Sequence, residues 1–172
     1  MAVAVVDGVA TLTVSNLAVT SQSGVVLRAK YSGDARSKYA EQDLSHIVNK
    51  ATVVISNIVA APDVSTYGQQ VTIQAELSVA APGSATISGV ARLYRVLPDD
   101  SAALLESASV SVIAGATTVT FAQTLPAGNN ALRIKYDGSD DLAAAQSAVV
   151  SLIVNKGIGR KRFNASCSST GG

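Results

Sequence analysis

The sequence predicts an all-β protein folded as a β-sandwich, and three observations carry that expectation. Val, Ser, Thr and Ala recur in short alternating runs punctuated by Gly. Aromatic residues amount to 4% against a hydrophobic content of 48%, so a core has to be built from Ala, Val, Leu and Ile. The chain also repeats itself. Val26-Leu27-Arg28-Ala29-Lys30-Tyr31-Ser32-Gly33 returns as Ala131-Leu132-Arg133-Ile134-Lys135-Tyr136-Asp137-Gly138, an offset of 105. Asn49-Lys50 returns as Asn155-Lys156 at 106, and Gly8–Val14 matches Gly115–Phe121 at 107. A near-constant offset marks a supersecondary unit written twice.

Taken in order, residues 8–14 alternate with Ala10, Leu12 and Val14 on one face and Val9, Thr11 and Thr13 on the other. Period two over this length predicts a half-buried strand. Residues 15–24 read as a connection. Residues 25–31 alternate again, with Val25, Leu27, Ala29 and Tyr31 inward, and Ser32-Gly33-Asp34 is a turn. A third strand is expected over about 43–49. Residues 1–50 therefore read as the last three strands of a unit whose beginning is missing.

Residues 51–156 read as a complete unit. Thr52–Ser56 is a short strand ended by Ala61-Pro62-Asp63. Val71, Ile73, Ala75, Leu77 and Val79 then alternate with Thr72, Gln74, Glu76 and Ser78 in the clearest strand of the chain. Strand 90–96 follows, then a turn at Leu97-Pro98-Asp99-Asp100, a short strand or two around 104–105 and 110–112, strand 115–121, a turn at 125–128 and the repeated ending. Roughly seven strands over about 100 residues is the size and spacing of an immunoglobulin-like sandwich.

Tyr67-Gly68-Gln69, Gly89-Val90-Ala91-Arg92-Leu93-Tyr94, Gly115-Ala116-Thr117-Thr118-Val119, Lys135-Tyr136-Asp137-Gly138 and Val154-Asn155-Lys156, in this order, resemble the bacterial Ig-like repeats found in tandem on large surface and adhesion proteins. Gly8–Leu12, Tyr31-Ser32-Gly33-Asp34 and Val48–Ala51 follow the same pattern. The resemblance implies an extracellular or cell-surface location, neighbouring Ig-like repeats as partners, and no activity. Arg95-Val96-Leu97-Pro98 departs from the family's tight turn, so a longer and less regular loop is expected there.

The half unit is the informative anomaly. Leu12, Val14, Val25, Leu27, Tyr31, Leu44 and Val48 form the large apolar members of its inward face and are the expected interface. At about 1.5–3 kcal/mol for each fully buried large side chain, leaving them all exposed forfeits on the order of 10 kcal/mol, comparable with the stability of a domain. Strands from further upstream, strands from another copy by complementation or swapping, or the chain's own second unit would have to cover them.

Composition excludes several functions. A net charge of +1 predicts no nucleic-acid footprint. Arg28, Lys30, Arg133 and Lys135 make a mild basic stripe without interleaved aromatics. No apolar run approaches the roughly 18 residues of a membrane span. The N-terminus lacks the basic flank of a secretory signal, so a leader has been removed or the sequence is an excerpt. One cysteine, Cys167, excludes an intrachain disulfide framework, and with the single His46 it cannot build a zinc site. His46 has no implied nucleophile or carboxylate beside it and reads as a half-buried or edge residue. Asp137, Asp140 and Asp141 offer clustered oxygens of the kind Ca²⁺ takes, in competition with a solvated turn. Tyr31 and Tyr136 read as core or corner residues.

Residues 157–172 change character and read as an irregular tail. It holds the basic run Arg160-Lys161-Arg162, a formal glycosylation sequon at Asn164, Cys167, and two apolar residues, Ile158 and Phe163, that lack strand alternation. The expectation is a non-enzymatic structural module without a cofactor: a spacer, an adhesive stalk or a fibre subunit that self-associates through the half unit. The competing expectation is a module that binds a glycan or surface protein through loops 61–69, 97–101 and 137–143.

Overall fold

The computed structural model describes residues 2–15, 17–20, 24–111 and 115–157. Among them every regular element is a strand: β1 (Val25–Tyr31), β2 (Ala40–His46), β3 (Val53–Ala61), β4 (Val64–Thr66), β5 (Gln70–Val79), β6 (Ser88–Val96), β7 (Ala102–Ser111), β8 (Thr117–Thr124), β9 (Gly128–Tyr136), β10 (Ala145–Gln146) and β11 (Val150–Asn155). No helix among the described residues is long and apolar enough to cross a membrane. The fold is all-β and sandwich-like.

From residue 51 onward two sheets share one core. The smaller has the order β3-β5-β8; the larger runs β4-β11-β9-β6-β7, with β10 also on β9. Pairings are antiparallel except β4 with β11. Period-two alternation turns Val71, Ile73, Ala75 and Leu77 of β5 inward, against Leu93 of β6 and Leu132, Ile134 and Tyr136 of β9, all at or below 3% exposure. Phe121 of β8 closes the same layer at 0%. At Ala61-Pro62-Asp63 the chain leaves the smaller sheet and joins the larger as β4. The proline that ends the first strand thus also moves the chain between layers.

Residues 1–50 hold a separate two-stranded sheet, β1-β2, paired with neither sheet of the sandwich. The junction is fixed by Ala51. Its N–H donates to Asp141 O (2.9 Å) and its carbonyl accepts from Ala143 N–H (2.9 Å). Lys50 Nζ donates to Ser139 O at 2.6 Å.

Several sequence expectations need correction. Residues 8–14 do not form a strand: only the bridge Val6–Val9 occurs there, and residues 10–15 carry no regular structure. Among the described residues, 1–50 therefore hold two strands rather than three. The physical reason lies in the second copy, where the matching β8 is held by pairing along β5. Among the described residues no strand lies beside 10–15, and an alternating segment without a hydrogen-bonding neighbour has no ladder to join. The strand expected at 43–49 lies at 40–46, because the turn fixes its register: Tyr31 faces Ala40 and Lys30 faces Glu41. The short strand or two expected near 104–112 is one long edge strand, β7, whose Ser107, Ser109 and Ser111 hid its length. The loop after Arg95 is longer than a tight turn, spanning residues 97–101, but it is internally bonded rather than irregular. Leu97 N–H bonds Ser101 O (2.8 Å), Asp100 N–H bonds Leu97 O (3.0 Å), and Asp99 accepts from Ser101.

Candidate functional site

The site the sequence points to is the apolar face of the β1-β2 hairpin. In its antiparallel register Val25 faces His46, Leu27 faces Leu44, Ala29 faces Gln42 and Tyr31 faces Ala40. Directly opposed residues share a face, so these eight side chains line one side. The other side carries Val26, Arg28, Lys30, Glu41, Asp43 and Ser45. There the Arg28 guanidinium grips Asp43 with two bonds of 2.6 and 2.7 Å, and Lys30 lies 3.9 Å from Glu41.

This hairpin repeats the geometry of β9-β10-β11. Tyr31 opposite Ala40 corresponds to Tyr136 opposite Ala145, and Leu27 opposite Leu44 to Leu132 opposite Val150. The turns agree as well. Gly33 and Gly138 have φ of +85° and +89°, and Asp34 N–H to Ser37 O (2.9 Å) matches Ser139 N–H to Leu142 O (3.0 Å). Between the two matched stretches Gln42-Asp43 is replaced by Ser147-Ala148-Val149, one residue more. That bulge is where the repeat offset changes from 105 to 106. It is stitched by Ser147, whose N–H donates to Ile134 O (2.9 Å) while its Oγ accepts from Ile134 N–H (3.0 Å).

Burial separates the two copies. Leu132, Tyr136, Leu152 and Val154 are at most 3% exposed, whereas the corresponding Leu27, Tyr31 and Val48 are half-buried, His46 is exposed, and Leu44 is 64% exposed. Leu12 and Val14, at 47% and 49%, lie outside the hairpin in the unpaired segment, although their counterparts Val119 and Phe121 are core residues. Of the expected interface, the structure brings Val25, Leu27, Tyr31 and Leu44 onto one face. Val48 lies beyond β2, where its N–H meets Thr20 Oγ1 (3.2 Å) and its carbonyl accepts from Thr20 N–H (3.0 Å).

The turn of the first hairpin is electrostatically tuned. The Tyr31 hydroxyl (2.6 Å), then the N–H groups of Arg36 and Ser37 (2.7 Å each), hold the Asp34 carboxyl below the usual carboxylate range. Its stabilisation of the turn is present above the unfolded-state value of about 3.9 and is lost as pH falls through the lower folded-state value. The expected result is that the Arg36 and Ser37 amide resonances move together in that acidic window, with the movement displaced upward in Tyr31→Phe. An unchanged midpoint in Tyr31→Phe would refute the role given to the phenol.

The other sequence candidates disperse. Asp137 does not gather with Asp140 and Asp141: its carboxylate is held by Arg92 at 2.8 Å, and among the described residues no group of three His, Cys, Asp or Glu is placed to hold a metal. Lys135 sits 5.1 Å from the centre of the Tyr94 ring, so the basic stripe of the second copy does have an aromatic beside it. Sequence reasoning missed this because Tyr94 comes from the neighbouring strand, opposite Arg133. Tyr136 is a core residue whose hydroxyl donates to Ser88 O. The loops named for ligand binding lie at the two ends of the sandwich: 61–69 and 97–101 at the end that carries Gly128, and 137–143 at the opposite end beside Ala51. Arg160–Arg162, Asn164, Cys167, Ile158 and Phe163 fall outside the described residues. No family model matches the sequence, and comparison with curated proteins yields no relative.

Proposed function

We propose that the chain is a non-enzymatic structural module of an extracellular or cell-surface repeat protein: one Ig-like sandwich, residues 51–156, preceded by the closing part of another. It acts as a spacer, adhesive stalk or fibre subunit that associates through the half unit. The observation that carries this reading is the pair of hairpins with the same turn and register, one buried in a core and one at most half-buried. Strand order supports it as well. β5 pairs with β3 and β8 in one sheet, and β6, β9 and β11 lie together in the other, an arrangement of the immunoglobulin kind. The mechanism is mechanical. Units joined through a clamped residue such as Ala51 project a distant tip, or interlock through an uncovered face.

Light scattering after size exclusion tests this. Association through residues 1–50 makes the intact chain elute above its 17.4 kDa mass, as oligomers or as filaments visible by negative stain. Deleting residues 1–50 leaves a monomer with the sandwich intact. A monomer at every concentration that binds a glycan or protein saturably would overturn the reading in favour of a binding module. One observation favours that second reading: a cleft of about 350 Å³ lined by Arg95, Leu97, Pro98, Pro126 and Asn130, where Arg95 makes no ion pair with the described residues.

A further inference from the structure

The second copy displays what covers this hairpin when it is covered. β9 has β6 along one edge, with Ala91 opposite Tyr136, Leu93 opposite Ile134 and Arg95 opposite Leu132. Its inner face rests on β5 and β8 through the shared core of Ile73, Leu77 and Phe121. In the first copy, among the described residues, the edge of β1 away from β2 pairs with no strand, its apolar face is no more than half-buried, and Ala10–Val14 alternate without a strand partner. These three vacant valences are the ones that β5 and β6 fill in the second copy. They are satisfied together by one occupant and by no single added strand.

We infer that residues 8–14 and 25–50 are a docking element for a segment of the 51–111 type that completes the same sandwich unit. A β6-like strand adds antiparallel to β1 at Tyr31, Ala29 and Leu27, and a β5-like strand recruits residues 10–14 into a new strand beside it. This deepens the repeat reading above and rests on it. The register follows from the second copy. Val119 opposite Ala75 and Phe121 opposite Ile73 place Leu12 and Val14 at the same stations. The hairpin needs no rearrangement, since its turn and pairing are already those of β9-β10, so ordering on docking falls mainly on residues 10–15. The Tyr31 hydroxyl, now held by Asp34, has its counterpart in the Tyr136 hydroxyl, which donates to Ser88 O. Docking transfers it from the carboxylate to a main-chain carbonyl of the occupant.

Two positions specify the occupant further. Ala29 stands where the second copy has Ile134, and His46 where it has Leu152. The natural occupant therefore carries more bulk opposite Ala29 than β5 and β6 do, and a polar group opposite His46.

The test extends the full chain, with residues 51–114 placed directly before Gly8 in exchange for residues 1–7. Gly8 and Gly115 are equivalent positions with φ of +78° and +88°, so the graft restores one unbroken unit ahead of the native one. Amide hydrogen exchange is read at residues 10–14 and 25–31, with the β5 amides of the native unit as the folding control. The expected result is about 100-fold slower exchange at 10–14 and 25–31 than in the unextended chain. Leu27→Asp in the extended chain abolishes the gain, and Ala29→Ile increases it. Exchange at the unextended rates with the control still protected overturns the docking inference, and so does protection of 10–14 already present in the unextended chain. Neither outcome touches the light-scattering test of the repeat reading, which addresses association and not the identity of the cover.

Discussion

Leu132→Ala is expected to destabilise the sandwich by about 2–5 kcal/mol, and Leu27→Ala at the equivalent repeat position by less than about 1 kcal/mol. The two leucines sit in the same strand of the same hairpin, each directly opposite a residue of the next strand, Val150 and Leu44. They differ in what lies above them. Leu132 is 3% exposed within the shared core, so truncation removes its transfer energy and leaves a hole between sheets that cannot collapse. Leu27 is only half-buried and lies outside the sandwich core, so water replaces what alanine gives up. Urea unfolding of the intact chain, followed by near-ultraviolet dichroism of the buried Tyr136, measures both. Equal losses would mean that the first hairpin is covered in solution. Phe121→Ala and Val14→Ala form a second pair of the same kind, expected at about 3–5 kcal/mol and within about 0.5 kcal/mol.

The contrast within these pairs explains what the sequence could and could not reveal. Alternation located β1 and β5 almost residue for residue, because in each of them one face is apolar throughout. It misled at 8–14, where the pattern is equally clean. Periodicity states which side of a strand would be buried; whether the strand forms depends on a neighbour, and here no strand lies beside it among the described residues. β4 escaped notice because three residues pairing along a sheet edge leave no period to read. The repeat in the sequence pairs Leu27 and Tyr31 with the core residues Leu132 and Tyr136, while in the structure the first pair is half-buried. Ser147 was not legible. It lies in the one-residue insertion between copies, and its role as a substitute ladder partner for Ile134 depends on a bulge that no residue type announces. The scattering of Asp137, Asp140 and Asp141 has the same origin, for the partner of Asp137 is Arg92 from another strand.

Gly138→Ala is expected to cost about 2–5 kcal/mol of sandwich stability, and Gly33→Ala to leave the global unfolding transition where it is. Both glycines hold positive φ, which costs an L-residue about 1–2 kcal/mol. Both also lack room. A Cβ on Gly138 would stand 2.9 Å from Leu142 O and 3.0 Å from Ala144 N; on Gly33, 2.8 Å from Ser37 O and 3.0 Å from Tyr39 N. These neighbours are main-chain atoms closing the turn, so relief requires opening it, an overpacking cost of about 1–3 kcal/mol more. In the second copy that turn carries the bonds that seat Ala51 on Asp141 and Ala143, together with the fully buried Leu142, so strain at Gly138 reaches the core and the junction at once. At Gly33 the same strain acts on a hairpin with no layer upon it, and is released by local fraying that urea midpoints of the sandwich do not register. Exchange of the β1-β2 amides does register it, as faster exchange in Gly33→Ala alone. A Gly33→Ala variant that lowered the midpoint of the whole chain would show the two units to be one cooperative body, and would require the first hairpin to contribute to a core that it does not touch here.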